Sequence, residues 1–382
     1  MQKILKNERG SVALFVLLSV LFFLVVVTGV AVSFKNKETQ IDSQIEKIKQ
    51  SYERDASQEY NEVMANGSGL IEQPDGTFKD SKDNEWVWIE VPNDGTGPTY
   101  PANATDEQIE AALRTYVSDV MPTGTSSNSA LVTTAGYIDT WYNGCGLSED
   151  EYATTKHKML NSIQKNGGFY IGKYETGIDD SSIAENATTT TGLRTSIGEI
   201  TQTAVIKQNK EPYTYITCSQ AETLAKGFAT NGKTASLLFG IQWDLVLKFI
   251  KEKENLPDND ILTSNSKDWG NYYNKTYNIT NTDAWYSIDS GENWTKGVYN
   301  KSSIGRIILT TGAHTDFSKQ NIYDLAGNVW EWTLENYPYS GGHCTYRGGG
   351  FYNEGNFFPT SYRGYDTTTY TDCDLSFRVA LY

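Results

Sequence analysis

The longest apolar run of the chain is Ser11–Phe34, which holds 24 residues without a charge. In a helix that rises 1.5 Å per residue, such a run crosses a hydrocarbon core of roughly 30 Å. It is longer than the apolar stretch of a cleaved secretory signal, which has about 7–15 residues. We therefore predict a retained single-pass membrane helix at 11–34. A short basic cytoplasmic leader at 1–10 precedes it, and everything after it is extracytoplasmic.

The leader ends at Gly10 and is followed by Ser11 and the apolar run. This arrangement resembles a type IV prepilin leader or a Tad-type pseudopilin, although Phe15 stands where most of those families carry a glutamate. Two interpretations stay open, a plain signal anchor and a pilin-like subunit that is cleaved after Gly10. The second implies that the chain self-associates in a pilus or through its stalk.

The pattern after the membrane helix is helical and then polar. Apolar residues recur at spacings of four and three between Ile41 and Tyr52, which is typical of a helix with one apolar face. Asn66–Gly69 (NGSG) predicts the end of that helix. We predict a helical stalk at 35–65 and a polar linker at 66–83. The apolar stripe fits a coiled-coil seam, a pilin-like helix or a solvated stalk.

The rest of the chain has short apolar patterns separated by turns. From Asn84 the run EWVWIEVP alternates apolar and polar residues as a half-buried strand does. Beyond it, short strand patterns and few long helical patterns indicate an irregular α+β domain at 84–382. The pattern predicts helices at Asp106–Val117 (capped by Asp106), Ser219–Phe228 and Gln242–Glu252, and strands at Gly168–Glu175, Gly305–Thr310 and Leu375–Leu381.

Composition restricts the function. The 382 residues include 32 Lys and Arg against 47 Asp and Glu, a formal charge of −15, so we expect no nucleic-acid partner. The 25 Tyr and 9 Trp are typical of a folded chain. His157, His314 and His343 are the three histidines and lie far apart in sequence. Their spacing argues against a catalytic iron or zinc site built on histidine.

Three segments near the C-terminus carry a resemblance. Asn321–Thr333 reads NIYDLAGNVWEWT, and it is followed by Arg347–Gly350 (RGGG) and Ser376–Val379 (SFRV). This ordered set resembles the formylglycine-generating enzyme, or sulfatase-modifying factor, family. Thr217–Lys226 and Gly240–Leu247 resemble earlier parts of that family in the same order. The resemblance covers roughly residues 84 to 382 and implies a C-type-lectin-like fold with small twisted sheets.

The DLAGNVWEW turn is a candidate calcium site. Asp324 and Glu331 place two hard oxygen ligands seven residues apart with turn carbonyls between them, a composition that suits calcium. The resemblance implies calcium bound by these two side chains and by the carbonyls of Gly327 and Val329. The alternative is a metal-free turn in which both acids cap backbone amides.

The resemblance also implies catalysis, and the sequence argues against it. The family's enzyme oxidises a cysteine with copper held by two cysteines, but Asn353 and Phe358 stand at those two places here. Neither side chain binds copper as a thiolate does. Gly227–Thr234 (GFATNGKT) satisfies a P-loop pattern, but no apolar strand precedes it. We expect no copper, iron or nucleotide cofactor.

The four cysteines of an exported chain favour disulfides. Cys344–Cys373 together with Cys145–Cys218 is one of three pairings.

The segment Phe351–Asp374 is dense in Tyr, Asn, Thr, Ser and Asp. Tyrosine offers a large contact area at small entropic loss, as in antibody paratopes. The segment also resembles the variable proteins of diversity-generating retroelements. Ordinary loop composition is the alternative, because the whole domain is rich in Tyr and Asn. The predicted ligand-binding residues are Tyr352, Asn353, Asn356, Phe358, Tyr362, Tyr365, Tyr370 and Asp372.

The sequence thus predicts a binding or display protein that is anchored in the cell membrane through Ser11–Phe34. Its Tyr- and Asn-rich loop surface would bind an unidentified protein or glycan. Two alternatives remain, an extracytoplasmic oxidoreductase of the formylglycine-generating type and a pilin-like structural subunit.

Overall fold

The computed structural model describes residues 69–121, 139–179, 189–256, 262, 265–337 and 343–382. The predicted leader, membrane helix and stalk lie outside these residues and stay predictions. Within the described ranges, no helix is long and apolar enough to cross a membrane.

Three helices follow the sequence pattern closely. The α-helices of the described residues are α1 (Asp106–Tyr116), α2 (Glu149–Asn166), α3 (Cys218–Lys226) and α4 (Gly240–Lys253). The bounds of α1, α3 and α4 fall within two residues of the predicted ones. The cap of α1 is Thr105 and not Asp106, because the Thr105 hydroxyl accepts the Gln108 N–H in a capping box.

Helix α2 is absent from the prediction. Its buried apolar residues Tyr152, Met159, Leu160 and Ile163 lie among twelve residues with charged, amide or hydroxyl side chains, which conceal the helical period. Its capping box at Ser148 and Glu151 is a signal in the sequence that could have revealed it.

The strands are short. In chain order they are β1 (Leu70–Glu72), β2 (Phe78–Asp80), β3 (Glu85–Glu90), β4 (Gly168–Gly172), β5 (Gly177–Asp179), β6 (Thr189–Thr191), β7 (Thr203–Val205), β8 (Ala235–Leu237), β9 (Tyr277–Ile279), β10 (Trp285–Ser287), β11 (Asn293–Lys296), β12 (Tyr299–Lys301), β13 (Ile308–Leu309), β14 (Ser318–Lys319), β15 (Ile322–Tyr323), β16 (Trp330–Tyr337), β17 (His343–Arg347), β18 (Gly364–Thr367), β19 (Leu375–Phe377) and β20 (Val379–Leu381). With the four helices they form the expected α+β architecture.

A six-stranded sheet has the order β1-β2-β3-β4-β20-β8. Strands β1 and β2 pair antiparallel, and β2 continues the ladder to β3. The predicted linker at 66–83 is therefore wrong in part, because residues 70–72 and 78–80 belong to the sheet. The domain begins before Asn84, and its last strand β20 lies inside the sheet between β4 and β8.

A four-stranded sheet has the order β18-β17-β16-β19 and supports the C-terminal loop. Strands β16 and β19 run parallel, which sets Trp330 opposite Leu375. The predicted strand Leu375–Leu381 is divided at Arg378, so that β19 and β20 belong to different sheets. Arg378 is fully buried there, because its guanidinium pairs with Glu331 (2.6 Å) and donates to two backbone carbonyls.

A closed ring of four buried charges connects α4 to this sheet. Arg347 on β17 donates to Asp244 on α4 (2.5 Å) and to Glu335 on β16 (3.0 Å). Arg363 donates to the same two carboxylates, at 2.5 and 2.8 Å. Two cations and two anions thus neutralise one another out of contact with water.

The disulfide differs from the predicted pairing. Cys218 at the start of α3 is bonded to Cys344 on β17, with a Cα–Cα distance of 6.7 Å. The pairing of Cys344 with Cys373 and of Cys145 with Cys218 is therefore wrong. Cys373 lies in a separate apolar cluster with Phe351 and Trp294, and Cys145 and Cys373 are both free and buried.

Candidate functional site

A cavity of about 380 Å³ lies where β16, β17 and the C-terminal loop meet. Four aromatic residues and two carboxylates line it: Trp330, Tyr346, Tyr352, Tyr370, Asp372 and Asp374. Three of these residues, Tyr352, Tyr370 and Asp372, were predicted from the sequence to bind a ligand.

Trp330 forms a fixed wall of the cavity. Its indole N–H donates to Asn353 Oδ1 (2.9 Å), and its ring packs edge-on against Tyr346 with 4.9 Å between centroids. Phe358 and Tyr362 contact the same ring, with centroids at 6.1 and 6.0 Å. Asn353, Phe358 and Tyr362 therefore support the wall, and they are not among the residues that line the cavity.

The carboxylates occupy a second side of the cavity. Asp372 accepts the Tyr370 hydroxyl (2.8 Å) and the Cys373 N–H (2.6 Å), which fixes its orientation. Burial and the neighbouring Asp372 charge raise the pKa of Asp374 to about 7. No described residue forms an ion pair with either aspartate.

Tyr352 closes a third side. Its hydroxyl is hydrogen-bonded to Ser290 and accepts the Cys373 thiol at 3.6 Å. The guanidinium of Arg306 lies 4.6 Å from the centroid of the Tyr352 ring, but Arg306 does not line the cavity.

Two predicted binding residues lie elsewhere on the loop surface. Asn356 accepts the side-chain amide of Asn274 (2.8 Å), and Tyr365 stacks on Tyr337 with 3.5 Å between ring centroids. Sequence reasoning missed Trp330, Tyr346 and Asp374 as lining residues. The alternation of Trp330 and Trp332 around Glu331 was the available signal, because it puts both indoles on one face of a strand.

The residues of the predicted calcium turn have partners of their own. Glu331 accepts the Arg378 guanidinium with both oxygens (2.6 and 3.0 Å). Asp324 Oδ2 accepts the Gly312 N–H (2.6 Å), as the metal-free alternative expects of a capping acid, whereas its Oδ1 is buried without a hydrogen-bond partner. Glu175 beside it also has one buried oxygen without a partner.

Burial raises the pKa of Asp324 to about 7 and the pKa of Glu175 well above its usual range, and the charges of Asp324 and Glu331 raise the Glu175 pKa further. Of the predicted calcium ligands, Asp324 has one oxygen without a hydrogen bond. Glu331 could bind calcium only if its ion pair with Arg378 were broken.

The protein-family model described as "Sulfatase-modifying factor enzyme 1-like domain" matches residues 120–382, which is more than half of the chain. The chain belongs to this family. Membership agrees with the resemblance of the Asn321–Thr333 motif and with the α+β architecture.

Two solved structures are similar to parts of this sulfatase-modifying factor domain protein. A chain titled CarF is 23% identical over 22% of this chain and 31% of its own length, with a TM-score of 0.19. The present chain thus spans about a third of that protein. Treponema denticola variable protein 1 is 14% identical over 78% of this chain and 84% of its own, with a TM-score of 0.24. No curated protein matches the chain.

Asn353 and Phe358, which the sequence resemblance compares with the copper cysteines of the family's enzyme, both have structural neighbours in this member. Asn353 Oδ1 accepts the N–H of Gly350 (3.2 Å) as well as the Trp330 indole, and so holds the turn after the R-G-G segment. Phe358 packs edge-on against Tyr362 with 5.0 Å between centroids. The nearby thiol of Cys373 is buried, which raises its pKa to about 12 and disfavours the thiolate that copper would need.

Proposed function

We propose that this sulfatase-modifying factor domain is a binding module whose ligand enters the cavity beside the C-terminal loop. One observation carries the proposal: four aromatic side chains and two carboxylates converge on one cavity of about 380 Å³. A concave site in which fixed aromatic rings and polar groups converge is typical of ligand recognition.

Binding is favoured over oxidation by the same residues. At the family's copper positions, Asn353 holds a turn and Phe358 packs against aromatic rings. Both side chains thus have a structural role in the cavity wall, and neither offers a soft ligand for copper.

The ligand would be a protein or a glycan that reaches the loop surface of Phe351–Asp374. On a C-type-lectin-like scaffold, such a loop tolerates exchange because firm strands flank it, here β17 and β19. Diversification by a retroelement predicts that sequences from related strains differ within Phe351–Asp374 and agree in β16, β17 and β19. Variation spread evenly over the domain would contradict it.

The experiment for binding uses the full-length chain, purified in a non-ionic detergent and applied to glycan and peptide arrays. Tyr370→Ala should lose most of the signal of the strongest ligand, because Tyr370 lines the cavity and is 36% exposed. Val298→Ala is the matched control, since Val298 is an exposed apolar side chain that does not line the cavity. Equal loss in both variants, or in neither, would refute the proposed site.

We further propose that Ser11–Phe34 anchors the domain outside the cell, from the length and apolarity of that run. Protease added to intact cells should then release a fragment of nearly the full ectodomain. A fragment that appears only after lysis would reverse the topology.

Calcium is proposed for the turn at Asp324. The support is the buried Asp324 Oδ1 without a partner, next to the similarly unpartnered Glu175 oxygen, which a bound cation would satisfy. Calcium should raise the thermal midpoint of chelator-treated protein, since a ligand of the native state stabilises it. Asp324→Asn should abolish the increase, whereas the exposed Asp316→Asn should keep it. An equal increase in both variants would place calcium elsewhere.

A further inference from the structure

The polar atoms of the cavity are mostly acceptors. The Trp330 N–H already donates to Asn353, the Tyr370 hydroxyl donates to Asp372, and the Tyr352 hydroxyl is bonded to Ser290. The carboxylates of Asp372 and Asp374 remain as the strongest hydrogen-bonding groups toward the cavity. The two carboxylates therefore favour a ligand that donates hydrogen bonds.

The charged side chains that line the cavity are both negative. Asp372 and Asp374 line it, and the charge of Asp366 also reaches Tyr346 and Tyr370. No lysine or arginine lines it. Arg306 lies against the Tyr352 ring but is not among the lining residues. An anionic ligand would therefore meet the repulsion of two lining carboxylates, whereas a cation would gain them as partners in a partly dry site.

The aromatic rings that line the cavity also favour a cationic ligand. The faces of Trp and Tyr rings attract cations, with Trp the strongest, and the attraction grows where water is excluded. Trp330 is only 6% exposed and is held by its contacts to Tyr346 and Asn353, so its position costs no ordering when a ligand binds.

Gly350 lies against two of the residues that line the cavity. A Cβ at that position would lie 3.0 Å from Asp374 Oδ2 and 3.1 Å from Trp330 Cδ1, which is tighter than an ordinary contact. A methyl group there would press on the aromatic wall and on the carboxylate at the same time.

Resting on the proposed binding function, we propose that the cavity accepts a primary alkylammonium group. The three N–H donors of that group match the carboxylate oxygens of Asp372 and Asp374, which can each accept a further hydrogen bond, and its alkyl stem matches the aromatic walls. A primary alkylammonium group has two sources: the end of a free polyamine, and the side chain of a lysine in a protein ligand.

Calorimetric titration of the full-length chain in a non-ionic detergent tests the proposal, at constant ionic strength and at pH 8, above the Asp374 pKa of about 7. Pentylammonium should bind, whereas pentanol, its neutral counterpart, and pentanoate, its anionic one, should bind at least tenfold more weakly. Cadaverine and Nα-acetyllysine amide separate the two sources, and tighter binding of either one than of pentanol supports the proposal. Pentanol binding as tightly as pentylammonium, or tetramethylammonium binding more tightly, would overturn it.

Variants locate the binding. Asp374→Asn and Gly350→Ala should each weaken pentylammonium at least tenfold, and Gly198→Ala should not, because a Cβ on Gly198 meets no atom within 4 Å. The thermal midpoint of each variant verifies folding, and either of the first two suffices if the other unfolds. Unchanged affinity in a folded Asp374→Asn or Gly350→Ala protein would refute the site.

The outcome is separable from that of the proposed function. If pentylammonium fails to bind while Tyr370→Ala still abolishes the array signal, the cavity binds a ligand of another class and only this inference fails. If pentylammonium fails to bind and Tyr370→Ala leaves the array signal unchanged, both this inference and the proposed function fail.

Discussion

Tyr362 and Tyr365 are three residues apart in a loop that the sequence marks as one binding surface, yet they have different surroundings. The Tyr362 ring is partly buried against Phe358 and Trp330, with centroids at 5.0 and 6.0 Å. The Tyr365 ring is 38% exposed and stacks on Tyr337. The same residue type thus serves as support for the cavity wall at one position and as surface at the other.

Tyr362→Ala should therefore reduce the free energy of unfolding by about 1–3 kcal/mol, because a ring packed on the cavity wall is lost. Tyr365→Ala should cost only about 0.5–1.5 kcal/mol, the range of an aromatic pair. Urea denaturation of the full-length chain measures both. A larger loss for Tyr365→Ala than for Tyr362→Ala would contradict this assignment.

At this scale, the sequence indicated which residue types suit a binding surface, but not which residues come together around the cavity. Tyr352, Tyr370 and Asp372 were recognised because Tyr and Asp are dense in one segment. Trp330 and Tyr346 come from strands outside that segment, and the parallel pairing of β16 with β19 brings Trp330 beside Asp374, the last residue of the segment. Pairing between distant strands is not encoded in any local pattern.

The buried ring of Asp244, Glu335, Arg347 and Arg363 decides how the elements around the cavity are held. Its four side chains come from α4, β16, β17 and the loop before β18, so it fixes the loop against the sheet.

Asp244→Asn should cost about 3–5 kcal/mol in the free energy of unfolding, since it leaves two buried guanidinium groups with one carboxylate. Glu90→Gln is the control, because Glu90 and Lys253 form an exposed ion pair, for which about 0–1 kcal/mol is expected. A cost for Asp244→Asn no larger than that of the control would show that the ring contributes little.

Helices with a strong apolar period were predictable to within two residues, and short strands were less so. The pattern over Leu375–Leu381 is continuous, but Arg378 in its middle pairs with Glu331 and separates β19 from β20. The Cys218–Cys344 bond likewise depends on α3 lying beside β17, which spacing in the sequence does not reveal.

For the whole molecule, buried carboxyl groups control the response to pH. Glu222 on α3 is fully buried, and one of its oxygens accepts the Leu237 N–H (2.8 Å) while the other has no hydrogen-bond partner. Burial raises its pKa from 4.5 to about 8, so the folded state holds a proton that the unfolded state releases. This stabilisation is complete below pH 4.5 and is lost as the pH rises toward 8.

Glu222→Gln should therefore stay close to the wild type in stability near pH 5 and exceed it by about 3–5 kcal/mol above pH 8, given about 1.4 kcal/mol for each unit of pKa shift. Glu199→Gln, at an exposed position, should follow the wild type at every pH. Urea denaturation between pH 5 and pH 9 gives the comparison. If the free energy of unfolding of Glu222→Gln instead changes with pH in parallel with that of the wild type, Glu222 is ionised in the folded state over the whole pH range.

The most direct test of the central claim, that the cavity is the binding site, is ¹⁹F NMR of the full-length chain labelled with 5-fluorotryptophan. Nine tryptophans give nine resonances, and Trp330→Phe identifies the one from the cavity wall. Titration with pentylammonium should shift the Trp330 resonance saturably and leave those of tryptophans remote from the cavity unchanged. A Trp330 resonance that stays in place while others move, or while the calorimetric titration saturates, would contradict the account.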